Sequence, residues 1–281
     1  MAEAGEASPH LDQKGQRQAA AGAPIGALVI HEIVRDQGEE ELERSFNGLA
    51  WSGIAAGLSI GFSFLAQATL QARLPDTAWR PLVSGFGYSI GFLIVILGRQ
   101  QLFTESTLTA VIPALTRRTI HTILLTLRVW VIVLTANLAA TWVFAAISAQ
   151  SGVFPEPTMQ AMADLSAQAL KGPFWHTVIT GGSAGWLIGL MVWLLPGANT
   201  GRALIIILLT YLIAICQFPH VVAGSVEAAF GVFTGQASIG DYLFRFLIPT
   251  LLGNVAGGTI LAALLNHAPL AAELTDADQD G

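Results

Sequence analysis

Six long apolar segments occupy most of the chain between residues 49 and 265 and limit what it can fold into. A helix needs roughly 20 apolar residues to cross the hydrocarbon core of a bilayer. The segments run approximately over Leu49–Leu70, Leu82–Leu115, Ile120–Ile147, Val178–Leu195, Ala203–Phe233 and Tyr242–Leu265. The sequence therefore predicts an all-α integral membrane protein with six transmembrane helices.

The distribution of charge supports this prediction. Residues 47–266 hold nine Lys/Arg and six Asp/Glu, whereas residues 1–46 hold four bases and nine acids, and residues 267–281 hold four acids and no base. We interpret 47–266 as a transmembrane domain between two acidic tails, 1–46 and 267–281. This pattern excludes a nucleic-acid-binding protein, and a single cysteine, Cys216, excludes an internal disulfide. The sequence indicates no metal and no cofactor.

Six spans place both termini on the same side of the bilayer. With both tails in the cytoplasm, the inner side carries more bases than the outer side, which favours that orientation in a cell (inner) membrane. The inner bases are Lys14, Arg17, Arg35, Arg44, Arg117, Arg118 and Arg202, and the outer ones are Arg73, Arg80, Lys171 and Arg245. Within the first tail, His31–Arg44 is either an amphipathic helix on the membrane surface or a solvated helical linker.

Two of the six segments are interrupted by polar residues. The second carries Gly98–Ser106 in its middle, and the fifth carries Gln217–His220 followed by small residues. Irregular backbone at membrane depth is tolerated only where protein buries it or water fills a cavity. We therefore expect each break to lie beside a cavity and not beside lipid.

The two breaks are related by an internal repeat. Thr104 and His220 are 116 residues apart, and Asn137 and Asn254, each in a similar Leu/Ala/Gly-rich context, are 117 apart. Because each copy would hold three spans, the second copy inserts upside down. The sequence thus predicts an aquaporin-like inverted repeat with broken second and fifth helices.

His220 is the strongest candidate for a functional residue. An ionisable side chain inside a membrane segment usually faces a cavity or a partner, so the imidazole either donates a hydrogen bond or proton to a passing anion or caps the break. The hydroxyl of Thr104, in the other break, is expected to face His220 or to bond its own helix. Glu105 and Glu227 follow the breaks and are predicted to pair with an arginine rather than to act as pore acids.

Three other features have a functional and a structural interpretation. Lys171 either attracts anions at an outer vestibule or is a solvated loop lysine. Asn137 and Asn254 are expected to cross-link helices rather than to touch substrate. A Gly-x-Ser-x-Gly string at 181–185 suggests an intramembrane serine protease, but the sixth segment lacks the histidine that such an enzyme needs, so we expect helix packing and no enzyme activity.

Three motifs resemble the formate/nitrite transporter family. They are the second-segment signature that ends in Leu102-Phe103-Thr104, the sequence Phe218-Pro219-His220 in the fifth segment, and Ile248–Gly258 in the sixth. Their spacing fits the family over about residues 45–266. The resemblance implies a homopentamer of six-helix protomers, each with a pore for small monovalent anions of weak acids, with proton coupling in some conditions.

The resemblance also implies roles for individual residues. His220 matches the central pore histidine, Thr104 the threonine facing it, and Lys171 approximately the vestibule lysine. Phe92 and Ile213 fall at the two hydrophobic constrictions. This chain departs from the family at four positions near the histidine: Glu105, Gly189, Pro219 and Gly224.

The sequence therefore predicts a channel or transporter for formate- or nitrite-like anions, with protons as co-substrate and no enzyme activity. Two alternatives stay open: a pH-insensitive aquaporin-like channel for small neutral solutes, and a membrane scaffold that transports nothing.

Overall fold

The computed structural model describes residues 25–279, with side chains over 25–198 and 200–264. Residues 1–24 and 280–281, which belong to the two predicted acidic tails, lie outside the described residues. Over the described residues the protein is all-α, as predicted.

The first half of the chain forms helices α1 to α6. Their bounds are Ala27–Glu43 (α1), Phe46–Arg73 (α2), Arg80–Leu97 (α3), Phe103–Thr109 (α4), Val111–Arg117 (α5) and Ile120–Ser148 (α6). Polar caps set two of the starts: Ser45 accepts a hydrogen bond from the Gly48 amide before α2, and Thr119 accepts one from the Thr122 amide before α6. Arg118 adopts a left-handed conformation with φ 50° and ends α5.

The second half forms helices α7 to α11. Their bounds are Glu156–Ala169 (α7), Phe174–Leu194 (α8), Arg202–Ile215 (α9), Ala223–Phe233 (α10) and Ile248–Gln279 (α11). A helical turn at Ile239–Asp241 and a π-helical turn at Tyr242–Leu247 lead into α11. The backbone of α11 continues beyond the predicted end of the sixth span at Leu265, through the predicted acidic tail.

The predicted membrane spans correspond to these helices. Five helical stretches are long and apolar enough to cross a bilayer: Phe46–Arg73, Arg80–Leu97, Ile120–Ser148, Phe174–Gly197 and Ile239–Leu264. The fifth predicted span is shared by the two shorter apolar helices α9 and α10. The second span continues past its break as α4 and α5, so both predicted interruptions are real.

The N-terminal helix α1 packs against the protein itself. Its inward face, which contains His31, Val34, Gly38, Glu41 and Leu42, is buried. Helix α1 contacts α4, α5, α6 and the end of α8. It is therefore neither a helix held only by the lipid surface nor a solvated linker.

The backbone around the two breaks confirms the inverted repeat. Amides of Gly98, Arg99 and Gln100 donate to the carbonyls of Ile94, Ile96 and Val95, and the amides and carbonyls 118 residues later repeat all three bonds. Arg99 and Gln217, also 118 apart, share a positive φ of 49° and 55°. The break residues thus correspond at an offset of 118, so Leu102 and not Thr104 is the repeat partner of His220.

Candidate functional site

Each break is fastened to the bundle by one asparagine. The Asn137 side chain accepts a hydrogen bond from the Phe103 amide (2.9 Å) and donates to the carbonyls of Gly53 (2.8 Å) and Gln101 (3.0 Å). Asn254 in the second half does the same: it accepts from Val221 (2.8 Å) and donates to Gly181 (2.8 Å) and Pro219 (3.0 Å). Both asparagines cross-link helices, as the sequence predicts.

The helices that carry these asparagines come very close to their neighbours. The Gly57 backbone of α2 lies against the Asn137 carbonyl of α6, and Gly185 of α8 lies against the Asn254 carbonyl of α11. A Cβ atom at either glycine would collide with that oxygen. The Gly-x-Ser-x-Gly string of α8 therefore serves helix packing.

His220 and Thr104 meet at the centre of the bundle. Thr104 Oγ1 lies 2.8 Å from His220 Nε2, and their exposed fractions are 0% and 1%. The Ala223 amide donates to His220 Nδ1 at 3.1 Å, so Nδ1 is an acceptor and Nε2 of the neutral ring carries the hydrogen. His220 therefore donates to Thr104, which leaves the threonine hydroxyl hydrogen available to a ligand.

Phe92 packs edge-on against the His220 ring, with ring centroids 5.1 Å apart and an interplanar angle of 83°. It is 0% exposed. On the same face of α3, Tyr88 lines a cavity on one side and Ile96 lines a second cavity on the other. Phe92 and His220 thus form an apolar waist between the two cavities.

The first cavity, which we call the α7-side cavity, has a volume of about 340 Å³. The second break lines it through Gln217, Phe218, Pro219 and His220. Lys171, which is exposed, and Ile213, which is 1% exposed, line the same cavity. The structure thus places two further predicted site residues around one space that ends at His220.

The second cavity, the α1-side cavity, has a volume of about 690 Å³ and is lined by the first break. Arg99, Gln100, Gln101 and Glu105 contribute to its wall, together with residues of α1. Each break therefore borders a cavity, and the two cavities open toward opposite ends of the bundle. This confirms that the breaks do not face lipid.

The prediction that Glu105 and Glu227 pair with arginine is wrong. Among the described residues, no ion pair joins either carboxylate to a basic side chain. Glu227 lines the α7-side cavity and Glu105 the α1-side cavity. Each acid therefore faces a cavity, and no described arginine nitrogen lies close enough to form an ion pair with it. The spacing of these residues in the sequence could not reveal this.

Two of the departures from the family pattern lie against bulky apolar side chains. A Cβ atom at Gly224 would lie 2.6 Å from Cε2 of Phe246, so this aromatic ring occupies the space of a larger side chain there. At Gly189, a Cβ atom would lie 3.2 Å from Leu261 Cδ2. The wall of the α7-side cavity beside His220 is therefore aromatic, where the resemblance implies an amide.

Sequence reasoning missed Glu41 of α1. Its carboxylate is 6% exposed and accepts hydrogen bonds from Gln101, Ser106 and Thr109 in and after the first break. The signal was its position: Glu41 lies on the same helical face as Val34 and Gly38, a face that is otherwise buried. A charge on such a face predicts a polar partner in the core.

A sequence profile of the formate/nitrite transporter family matches residues 28–268. The chain belongs to the formate/nitrite transporter family. It is thus a membrane channel or transporter for small anions and not an enzyme. The family match begins inside α1, so it includes nearly all of this helix.

The names of two relatives agree with this assignment. The chain is 40% identical over 253 residues to the inner membrane protein YfdC of Escherichia coli (strain K12), covering 90% of this chain and 82% of that protein. It is 28% identical over 236 residues to the formate channel FocA of Haemophilus influenzae, covering 74% and 82%. The first of these relatives and the apolar helices confirm the predicted inner-membrane location.

A solved structure shows the same fold. A pentameric formate channel with formate bound superposes with a TM-score of 0.66 at 23% identity, over 82% of this chain and 96% of that one. The six-span inverted repeat of this formate/nitrite transporter family protein is therefore shared with a channel of known structure.

Proposed function

We propose that this protein carries small monovalent anions of weak acids, such as formate or nitrite, through a pore in each protomer, with proton coupling. One observation supports this most: the buried His220–Thr104 pair lies at the waist between the two cavities. The proposed pathway runs from Lys171 past Ile213 to the waist of Phe92 and His220, and then to the α1-side cavity. Leu102, Phe103 and Gly224 shape the backbone around the pair.

The charge of the substrate changes along this path. Lys171 attracts an anion into the α7-side cavity, where water still surrounds it. Moving an ionised carboxylate from water to an apolar environment costs far more free energy than moving the neutral acid. The waist therefore favours passage of the protonated acid, so that a proton moves with each anion.

The tautomer of His220 defines its part in this proposal. Because Nδ1 accepts from the Ala223 amide, the ring offers only Nε2–H to the pathway. It acts as a hydrogen-bond donor, directly or through the Thr104 hydroxyl, and the proton on the acid comes from water in the cavity. The pair thereby replaces part of the hydration that an acid anion or its neutral form loses at the waist.

The assembly in this proposal is a homopentamer. Large apolar side chains are exposed around the protomer, including Trp51 at 71%, Trp175 at 71%, Ile179 at 72% and Phe244 at 64%. Such a belt faces lipid or neighbouring subunits. The solved formate channel with the same fold is described as pentameric, which supports five copies here.

The first prediction tests the role of His220. In proteoliposomes with an internal pH dye, formate and nitrite should acidify the lumen, more steeply at about pH 5 than at about pH 7, because more acid is neutral there. His220→Phe should lower this uptake at least about tenfold by removing the donor at the waist. Native mass measurement should still show five subunits.

The matched control is His121→Phe, the same exchange at an exposed histidine of α6. It should transport like the unmodified protein. Unchanged uptake in His220→Phe would overturn the role of His220, and pH-insensitive permeation of neutral solutes would favour an aquaporin-like channel. No flux from an intact pentamer would favour a scaffold.

A further inference from the structure

Glu41 is a buried acid on a helix that lies outside the membrane-spanning segments. Its Oε1 accepts from Gln101 Nε2 and Ser106 Oγ, and its Oε2 accepts from Thr109 Oγ1 at 2.5 Å. Burial raises the pKa of Glu41, and these hydrogen bonds oppose that shift. A buried carboxylate is tolerated only with such partners, so each oxygen of Glu41 is committed to this contact.

All three donors belong to the first break or to the helix that follows it. Gln101 precedes Thr104 by three residues and Ser106 follows it by two. On the bundle side, this segment is held by Asn137 and by Trp130, whose Nε1 donates to the Ser106 carbonyl at 2.9 Å. Glu41 holds the same segment from the α1 side.

The internal repeat shows that a break of this shape can form without these three hydrogen-bond donors. The second break has the same asparagine cross-link, and α7 packs on the helix that follows it, but among the described residues no side-chain hydrogen bond joins α7 to this segment. Its residues 118 positions after Gln101, Ser106 and Thr109 are Pro219, Gly224 and Glu227. The hydrogen-bond donors are thus confined to the half of the repeat on which α1 docks.

We infer that Glu41 is a positioning residue: its carboxylate fixes the first break so that the Thr104 hydroxyl stays against His220. Helix α1 is then part of the transport unit. The consequence for flux rests on the proposed function, whereas the effect on the break itself does not. A displacement of well under 1 Å is enough to impair a polar site that must be held in register.

The flux experiment compares Glu41→Ala and Glu41→Gln with Glu43→Ala, which changes an exposed acid on the same helix. Glu41→Ala should lower the maximal rate of formate uptake about tenfold with little change in KM, because the cavity around Lys171 is untouched. Glu41→Gln keeps the size of the side chain and one acceptor oxygen, so its maximal rate should lie between those of Glu41→Ala and the unmodified protein. A maximal rate for Glu41→Ala within about twofold of Glu43→Ala would overturn the inference.

A second background separates positioning from general damage. If Glu41 acts through Thr104, then Glu41→Ala should add no further loss to Thr104→Val. A further loss of about tenfold in that background would overturn the inference, since Glu41 would then act on something else. Where Glu41→Ala does not assemble, Ser106→Ala removes one donor from the other side and is compared in the same way.

Hydrogen exchange tests the inference without any flux. In Glu41→Ala, the amides of Gln101 and Phe103 should exchange faster, while the amide of Val221 in the second break should not change. This result would support the inference even if the protein carried neither formate nor nitrite. An equal increase in the exchange rate in both breaks, or no change in either, would overturn it.

Discussion

At the scale of single residues, two asparagines hold the irregular backbone that the membrane would otherwise forbid. Asn137 and Asn254 are both 0% exposed, and each makes one bond to an amide and two to carbonyls. A carboxamide is the side chain that can do this, because it accepts at one end and donates twice at the other. The break residues are therefore free to hold His220 against Thr104 and to present His220 to the α7-side cavity.

This arrangement predicts unequal effects of two substitutions at Asn254. Asn254→Ala leaves buried backbone groups unpaired, at a cost of about 1–3 kcal/mol for each. Asn254→Asp should be worse, because a carboxylate oxygen would face the carbonyls of Gly181 and Pro219 in place of the amide donor. In detergent, the unfolding temperature should be highest for the unmodified protein, lower for Asn254→Ala and lowest for Asn254→Asp.

The control is Gln160→Ala, which removes an exposed side-chain hydrogen bond to Asp164. It should leave the unfolding temperature nearly unchanged. If Asn254→Asp were as stable as the unmodified protein, the two carbonyl contacts would not exist as described.

The residues that carry the site differ in how far sequence could predict them. The family motifs pointed to His220 and Thr104, and the structure brings them into contact. The repeat offset of 116 between them was wrong as a backbone correspondence, because the two break turns match at 118. The true register is visible only in the backbone hydrogen bonds and in the positive φ of Arg99 and Gln217, which depend on the folded structure. Glu41 was missed for the same reason, since its partners lie 60, 65 and 68 residues away.

At the scale of elements, the π-helical turn Tyr242–Leu247 shapes the wall beside His220. A π turn inserts an extra residue into a helix and changes which side chains face inward. Here it precedes α11 and places Phe246, which is 1% exposed, against Gly224 of α10. The approximate extents of the membrane spans were predictable from hydropathy, but this local change of period has no clear signal in a chain so rich in apolar residues.

The contact between Phe246 and Gly224 predicts a compensating pair of substitutions. Gly224→Asn alone should lower the unfolding temperature, because its Cβ would lie 2.8 Å from Phe246 Cζ and would force the packed ring to shift. Adding Phe246→Ala should restore stability and place an amide beside His220. Thermal unfolding of the single and double variants measures this, and an equally stable single variant would contradict it.

At the scale of the whole molecule, the inverted repeat gives the protein two ends that differ in composition. The α7 end carries the loop with Lys171, and the α1 end carries Arg44, Arg99 and Arg202 around its cavity. The six-span count and the two breaks were predictable from the sequence. The docking of α1 on the bundle was not, because its surface is rich in charge and its inward face is short.

The positive-inside rule predicts the orientation of these ends in the membrane, with α1 and both termini in the cytoplasm. Single cysteines in a Cys216→Ser background test this, since Cys216 itself is exposed. Ser151→Cys lies in the exposed loop before α7, and Glu43→Cys lies at the exposed end of α1. In intact cells, a membrane-impermeant maleimide should label Ser151→Cys at once and Glu43→Cys only after permeabilisation. The reverse labelling pattern would indicate the opposite orientation in the membrane. Lys171 would then attract anions from the cytoplasm, and the Glu41 contact would lie on the outer side.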